Sequence, residues 1–203
     1  MRNLKKYIES GIVENYVLGI TLPEETLEIE EMSIKHQEVR AAISKFCLLF
    51  EENVFANAIA PPSIIKPELM ATIDYMERLE NGEALTFPPL LNENSQIDDF
   101  SDWLNRADMK PLAGFNDIEV KLIGYTPTCT TAIVWVKQIA PEEVHKHEFE
   151  RFLIVEGTCT IHISSKTYDL VPGNYLQIPL FETHHVVVTS TMPCKVILQR
   201  VAA

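Results

Sequence analysis

The chain has 203 residues, of which 46% are hydrophobic and 23% are charged, as is ordinary for a globular protein. The formal net charge of −12 is spread along the chain, since residues 1–90 hold 8 Lys and Arg against 15 Asp and Glu, and residues 91–203 hold 9 against 14. An acidic chain without a basic stripe repels phosphate backbones, which argues against direct nucleic-acid binding. No apolar run reaches the roughly 18–20 residues that cross a bilayer, and the N-terminus lacks the apolar core of a secretory signal. We therefore expect a cytoplasmic protein without a membrane anchor.

The cysteines are far apart in the sequence and form no CxxC pair. They are Cys47, Cys129, Cys159 and Cys194. This spacing argues against a disulfide framework and against a cysteine-based zinc site. We expect buried thiols that pack as small apolar groups.

Two short helices are expected at the start of the chain. Ser10 can cap the first, and Gly19 can end it in the left-handed conformation. Thr21 and Glu24 have the spacing of a capping box, with Pro23 in the first turn of a Glu-rich helix.

Two longer helices are expected to follow. The third covers roughly residues 37–57, and the fourth opens near Pro67 and ends near Gly82. Apolar residues recur at helical spacing in both, which predicts one buried face for each helix. The predicted faces are Val39, Ile43, Phe46, Leu49 and Phe50 in the third helix, and Leu69, Ile73 and Met76 in the fourth.

The chain changes character after the helices. Residues 83–117 are rich in Pro, Asn and Asp, which predicts a linker with one short helix, although the segment could equally wrap onto the second domain. From residue 118, short apolar or alternating runs recur at intervals of roughly 8–12, as in a sandwich or barrel. The expected fold class is α+β, with a small helical bundle at residues 1–82 and an all-β barrel at residues 118–203.

The stretch HKHEFERFLIVEG, residues 145–157, concentrates groups that can bind metal. Residues two apart in a strand point to the same side, so His145 and His147 can both face inward, and Glu150 can join them. Imidazoles and a carboxylate suit a divalent transition ion such as zinc, iron, manganese, nickel or copper. A surface histidine pair is the alternative interpretation of this pattern alone.

Residues further along the chain complete a known pattern that begins with this stretch. Gly157 follows Glu150 after six residues; Pro179 follows Gly173 after five residues, and His184 follows Pro179 after four. These two motifs resemble those of the cupin superfamily. The resemblance implies a jelly-roll barrel with a metal held by His145, His147, Glu150 and His184.

The chain departs from the cupin motifs in several places. Only two residues separate His147 from Glu150, and Phe181 stands where the second motif often has Gly. His185 adjoins His184 and is the alternative ligand if the turn is shifted. His162 also lies in a predicted strand, where we expect a satisfied or exposed histidine rather than a ligand.

The helical half carries a second resemblance. The stretches ESGIVENYVLGITLPEETLEIE, HQEVR and IAPPSIIKPELMATI occur in the order found in anti-sigma factor domains of the ChrR and RskA kind. Zinc-binding members carry His-x3-Cys-x2-Cys, whereas here Arg40 and Ile43 follow His36 at those positions. The resemblance therefore implies a ChrR-like pairing with a cupin, without the zinc-binding cysteines.

Three functions fit these features. The first is a soluble anti-sigma factor whose helices bind a sigma factor and whose metal-binding cupin senses a cytoplasmic signal. The second is a cupin metalloenzyme of the dioxygenase or sugar-isomerase type, with the helices as an oligomerisation or lid element. The third is a metal-dependent protein that binds a small molecule in the barrel without catalysis. No catalytic residue is singled out by spacing, and a homodimer is left open.

Overall fold

The structure is a computed structural model that describes residues 3–203. It divides into two compact units, the first extending to Ala60 and the second spanning Pro61–Ala203. The expected α+β class is confirmed, since helices precede an all-β region. Among the described residues, none of the helices has the length and apolar character needed to span a membrane.

The first unit consists of helices joined by short turns. They are α1 (Leu4–Ile8), α2 (Ile12–Val17), α3 (Pro23–Lys35) and α4 (Gln37–Ala56). Two helix N-caps lie one residue later than predicted. Gly11, in the left-handed region at φ 88°, caps α2 in place of Ser10, and the Leu22 N–H donates to the Glu25 carboxylate at 2.9 Å to start α3.

The core of the first unit is small. Val13, Ile29 and Val39 are its fully buried apolar residues, one from each of α2, α3 and α4. The predicted buried face of α4 is correct at Val39 but wrong at Leu49 and Phe50, which are exposed. The first half of α4 therefore packs against α2 and α3, and the second half leaves its apolar side chains in solvent.

The second unit contains the remaining helices and all of the strands. Its helical parts are α5 (Ile65–Glu80), a 3-10 turn (Ile97–Phe100) and α6 (Ser101–Leu104). The strands are β1 (Ile118–Thr126), β2 (Cys129–Val136), β3 (Ile139–Glu143), β4 (Glu148–Glu156), β5 (Cys159–Ile163), β6 (Lys166–Leu170), β7 (Tyr175–Ile178), β8 (His184–Val188) and β9 (Cys194–Ala202). They form two antiparallel sheets, ordered β1-β2-β9-β4-β7 and β3-β8-β5-β6.

Helix α5 packs against β1 with a face that differs from the predicted one. Ala71 and Tyr75 are buried in the barrel core cluster, whereas the predicted stripe of Leu69, Ile73 and Met76 is exposed. Polar contacts fix this orientation, because Asp74 pairs with Lys121 of β1 at 3.0 Å. The small Ala71 side chain allows close packing where larger apolar residues were expected.

The five-stranded sheet is buried on both faces, which explains the continuous apolar run in β2. Ala132, Val134 and Val136 belong to the core cluster that contains residues of both sheets. Ile133 and Trp135 face the other way and pack in a second cluster. The second cluster includes Leu91, Phe100 and Met109 from the segment before β1.

Residues 83–117, predicted as a linker, thus lie within the second unit and cover the outer face of its larger sheet. Gln199 of β9 holds this segment: its carbonyl oxygen accepts from the Leu91 N–H at 2.8 Å, and its amide donates to the Pro89 carbonyl at 2.8 Å. The boundary between the two units follows Ala60, so the predicted boundary after residue 82 falls inside the second unit.

Candidate metal centre

The two sheets bring distant parts of the sequence to one end of the barrel. Glu150 lies in β4, directly opposite Arg200 of β9. His184 is the first residue of β8 in the facing sheet and pairs with Glu143 of β3. His145 lies in the short connection between β3 and β4. The candidate site therefore joins residues of both sheets.

Three of the predicted ligands converge there. His184 Nε2 lies 2.9 Å from Glu150 Oε2, and His145 Nε2 lies 3.5 Å from the same oxygen. One ligand atom from each of the three residues lies within 4.8 Å of the others. Glu150 and His184 are each only 3% exposed, so the site is shielded from solvent.

The arrangement fits a metal ion. His145 Nε2 is buried and has no hydrogen-bond partner, and an orphaned buried nitrogen is costly unless another group satisfies it. Ligands at about 2.1 Å from one ion lie roughly 3.0–3.4 Å from each other in octahedral or tetrahedral coordination. The two measured separations are close to that range, and the donor set of two imidazoles and one carboxylate suits divalent transition ions.

The position of His145 depends on the second motif. Its carbonyl oxygen accepts a hydrogen bond from the Phe181 N–H at 2.8 Å. Phe181 has φ 63°, in the left-handed region that favours glycine. The turn that precedes β8 therefore holds both His184 and the segment that carries His145.

His147 does not join the other three residues. Strand β3 ends at Glu143 and β4 begins at Glu148, so both His145 and His147 lie outside regular strand, and the alternation that predicted a shared facing does not apply. His147 is exposed, and its carbonyl oxygen accepts from the Ala203 N–H. The structure assembles three of the four predicted ligands, and the role of His147 stays a prediction.

The structure also separates His184 from its neighbour. The His185 ring stacks on the His162 ring of β5, with centroids 4.5 Å apart and planes 13° from parallel. His184 instead lies 5.3 Å, centroid to centroid, from the ring of His145. Of the two alternatives left open by the sequence, the geometry places His184 at the site.

Arg200 is a component of the site that the sequence did not single out. Its guanidinium contacts four carboxylates: Glu68 at 2.6 Å, Glu143 and Glu150 at 3.2 Å, and Glu148 at 3.6 Å. An arginine in a strand that is mostly apolar was the available signal. Its partners could not be identified, because they lie 50 or more positions away.

Electrostatics at the site favour ionised Glu150. Burial by itself raises the pKa of this carboxyl, but the nearby imidazole of His145, the hydrogen bond from His184 and the charge of Arg200 together hold it well below the usual range. In return, the Glu150 carboxylate raises the pKa of His145. Burial, followed by the charge of Glu150, raises the pKa of Glu143. Four carboxylates around one guanidinium leave an excess of acidic groups that suits a cation.

A cavity of about 60 Å³ lies beside the cluster. Glu68, Glu143, Glu150, His184 and Arg200 are its charged and polar lining residues near the candidate centre. Most of the other lining is apolar, with valines from several strands together with Phe152 and Leu198. The cavity therefore combines a charged region with apolar walls, as small-molecule sites commonly do.

Part of the barrel matches a known family. Residues 131–199 match the family model described as a cupin domain. No curated protein matches the chain. Among solved structures, the chain is similar to KdgF from a Halomonas species, with 16% identity, 46% of this chain and 89% of that chain covered, and a TM-score of 0.41.

Two other solved structures show similarity over a comparable share of the chain. The cupin domain of Cnp3 from Schizosaccharomyces pombe is 11% identical, with 44% of this chain and 67% of that chain covered and a TM-score of 0.42. An RmlC-like cupin from Shewanella frigidimarina is 14% identical, with coverages of 46% and 84% and a TM-score of 0.40.

Proposed function

We propose that this chain, whose residues 131–199 form a cupin domain, is an anti-sigma-factor-like transcription regulator. Its helical unit binds a sigma factor of the extracytoplasmic-function type. Its barrel holds a divalent transition metal and senses a small molecule in the cytoplasm. The observation that carries this proposal is the extent of exposed apolar surface on the helical unit.

That surface is large for so small a unit. Against three fully buried apolar residues, eleven large apolar side chains among residues 3–60 are exposed. They are Leu18, Ile20, Leu22, Leu27, Ile34, Leu48, Leu49, Phe50, Val54, Phe55 and Ile59. Exposed apolar side chains that cluster on one element commonly mark a protein-binding site. The second half of α4 contributes five of these residues, which makes it the centre of the proposed interface.

Charge indicates the chemistry of the partner. Helix α3 carries five glutamates and a single lysine. Acidic residues beside an apolar surface favour a partner with a basic rim, because complementary charges accelerate association and exclude partners of like charge. A sigma factor, which binds DNA, offers basic surface of this kind.

The barrel would provide the sensor. His145, Glu150 and His184 would hold the metal, and a bound divalent ion would supply a Lewis acid with open coordination positions for a ligand. Arg200, which also pairs with Glu143, contacts Glu150 and would help to fix the orientation of its carboxylate. A ligand that binds one state of the barrel more tightly than another would shift the regulator between those states.

The test uses the full chain, produced together with each extracytoplasmic-function sigma factor of the same genome. We expect a 1:1 complex with one of them in size-exclusion chromatography, and inhibition of transcription from its promoter. Substituting Leu49→Asp and Phe55→Asp together should abolish the complex, while Glu38→Gln, at an exposed position in the first turn of the same helix, should preserve it. Absence of a complex with every sigma factor, for a chain shown to be folded by circular dichroism, would overturn the proposal.

A metal-dependent enzyme is the second candidate, and the cavity beside the cluster favours it. Three protein ligands leave coordination positions open, as catalytic metal sites require. In this alternative the helical unit serves oligomerisation. Turnover of a small substrate by the metal-loaded chain, combined with no sigma-factor complex, would select the enzyme over the regulator.

A further inference from the structure

The most unusual contact beside the candidate metal centre is made by a residue outside the barrel. Glu68 lies in α5, and its carboxylate contacts Arg200 Nη1 at 2.6 Å, the shortest of the four carboxylate contacts of that guanidinium. Glu68 also lines the cavity. A carboxylate from a helix therefore pairs with a half-buried guanidinium beside the cavity, at a position that a ligand carboxylate could take.

The two ends of α5 are held differently. Near its C-terminal end, Asp74 pairs with Lys121, and Arg78 donates to the Leu122 carbonyl of β1. Tyr75 is buried in the core between these two residues. Near its N-terminal end, Glu68 pairs with Arg200, and Ile64 packs partly against the core. The first turns of α5 are thus held by this ion pair, whose acidic side chain is 31% exposed, and by the partial packing of Ile64.

The cavity restricts the ligand that could replace Glu68. A volume of about 60 Å³ holds roughly four to six water-sized groups. Its walls are mainly apolar, and its polar groups are concentrated around Arg200 and Glu150. A molecule that fits both the charged region and the apolar walls has one carboxylate, which pairs with Arg200, and a short aliphatic chain, which packs against the walls.

We propose that the barrel binds a short-chain monocarboxylate, whose carboxylate pairs with Arg200 in place of Glu68, and that Glu68 acts as a tethered competitor for this position. The exchange replaces one carboxylate by another, so the charge around Arg200 does not change. Loss of the Glu68 contact frees the first turns of α5, the first helix after Ala60. The proposal rests on the proposed function, because it supplies the ligand class that the barrel senses.

The test is calorimetric titration of the full-length, metal-loaded chain with butyrate. Butan-1-ol serves as the probe with a similar tail and no charge. Glu68→Gln should bind butyrate about tenfold more tightly than the unaltered chain, because the variant lacks the tethered carboxylate that competes for Arg200. Glu77→Gln, an exposed position on the same helix, should leave the affinity unchanged, and Arg200→Lys should weaken it in the Glu68→Gln background.

Hydrogen exchange provides a readout of the helix itself. Butyrate should accelerate amide exchange in the first turns of α5 in the unaltered chain. In Glu68→Gln the same amides should already exchange faster without ligand. Exchange near Tyr75 should change little in either protein, because that end of α5 is held by separate contacts.

Three results would overturn the proposal: equal butyrate affinity with and without Glu68→Gln, equal affinity for butan-1-ol and butyrate, or no butyrate binding to folded Glu68→Gln. Metal content measured on the same samples separates this inference from the proposed function. Bound metal without butyrate binding refutes only the ligand class. Butyrate binding to Glu68→Gln without bound metal supports the Arg200 position and refutes the metal-dependent sensor.

Discussion

His184 Nε2 lies 2.9 Å from Glu150 Oε2, although the two residues are 34 positions apart and belong to different sheets. The same oxygen faces the unpartnered Nε2 of His145. A metal bound here would therefore link the two sheets at one end of the barrel. Removing a ligand should therefore lower both the metal content and the stability of the protein.

The first prediction concerns which histidines bind metal. His145→Ala and His184→Ala should each lower metal affinity by more than about a hundredfold, since even residues that only support a ligand commonly contribute tenfold to a hundredfold. Elemental analysis of the purified chain and competition with a chelator measure this effect. His147→Ala is the matched control, because its side chain is exposed and outside the cluster.

A loss of metal in His147→Ala equal to that in His145→Ala would show that the connection before β4 rearranges to bring the fourth predicted ligand inward. Full metal content in both His145→Ala and His184→Ala would contradict the assigned centre. Metal bound to the folded state alone should also raise the thermal midpoint of unfolding, and a chelator should remove that increment.

The second prediction concerns the turn that positions His145. Phe181 adopts φ 63° and is 68% exposed, so its ring contributes little packing while its backbone carries the strain of a left-handed conformation. Relieving that strain by Phe181→Gly should stabilise the fold by about 0.5–1 kcal/mol, after the greater entropy of glycine in the unfolded chain is subtracted. Thermal unfolding measures the change. Phe181→Ala is the control, because it removes the ring and keeps the strain; a gain of equal size in that variant would refute the explanation.

The third prediction tests how the segment before β1 is attached. Gln199 is fully buried, and its side chain bonds to Leu91, Pro89 and Thr131. Gln199→Met keeps a similar volume but leaves these buried polar groups without partners, which should cost about 2–4 kcal/mol. Urea unfolding measures the loss. Gln138→Met at an exposed position should cost less than about 0.5 kcal/mol, and equal losses in the two variants would show that these bonds do not hold the segment.

The sequence predicted the strands better than the helix faces. Alternation and turn spacing correctly predicted short strands that recur from residue 118 onward. Strand β3 is difficult to recognise from such a pattern, because it is short and contains Pro141. In α5, counting apolar residues selected Leu69, Ile73 and Met76, because the count ignores the ion pairs that orient the helix. The buried face contains Ala71 and Tyr75 instead.

The site was predictable where its residues follow motif spacing, as Glu150 and His184 do. The structure does not place His147 with them. The rule that residues two apart in a strand point to the same side does not apply to His145 and His147, because both lie outside the strands. Arg200 and Glu68 could not be paired from sequence. They are 132 positions apart, and only the packing of α5 near the barrel brings them into contact.

The last prediction concerns pH. Glu83, just beyond α5, accepts hydrogen bonds at 2.7–2.9 Å from both Arg106 and Arg78, and its side chain is 18% exposed. The bonds from Arg106, followed by those from Arg78, outweigh burial and lower the pKa of this carboxyl in the folded state. The unfolded chain therefore binds a proton more readily, so this group contributes stability at neutral pH that is lost as pH falls below about 4–5.

Glu83→Gln should accordingly reduce the free energy of unfolding by about 1–2 kcal/mol at pH 7, because it leaves two neighbouring guanidinium groups without the carboxylate between them. The difference from the unaltered chain should shrink as pH falls towards 3. Urea unfolding across this pH range measures both effects. Glu80→Gln, at an exposed position near the end of the same helix, should change neither. A difference that stays constant from pH 7 to pH 3 would show that Glu83 acts through packing rather than through its charge.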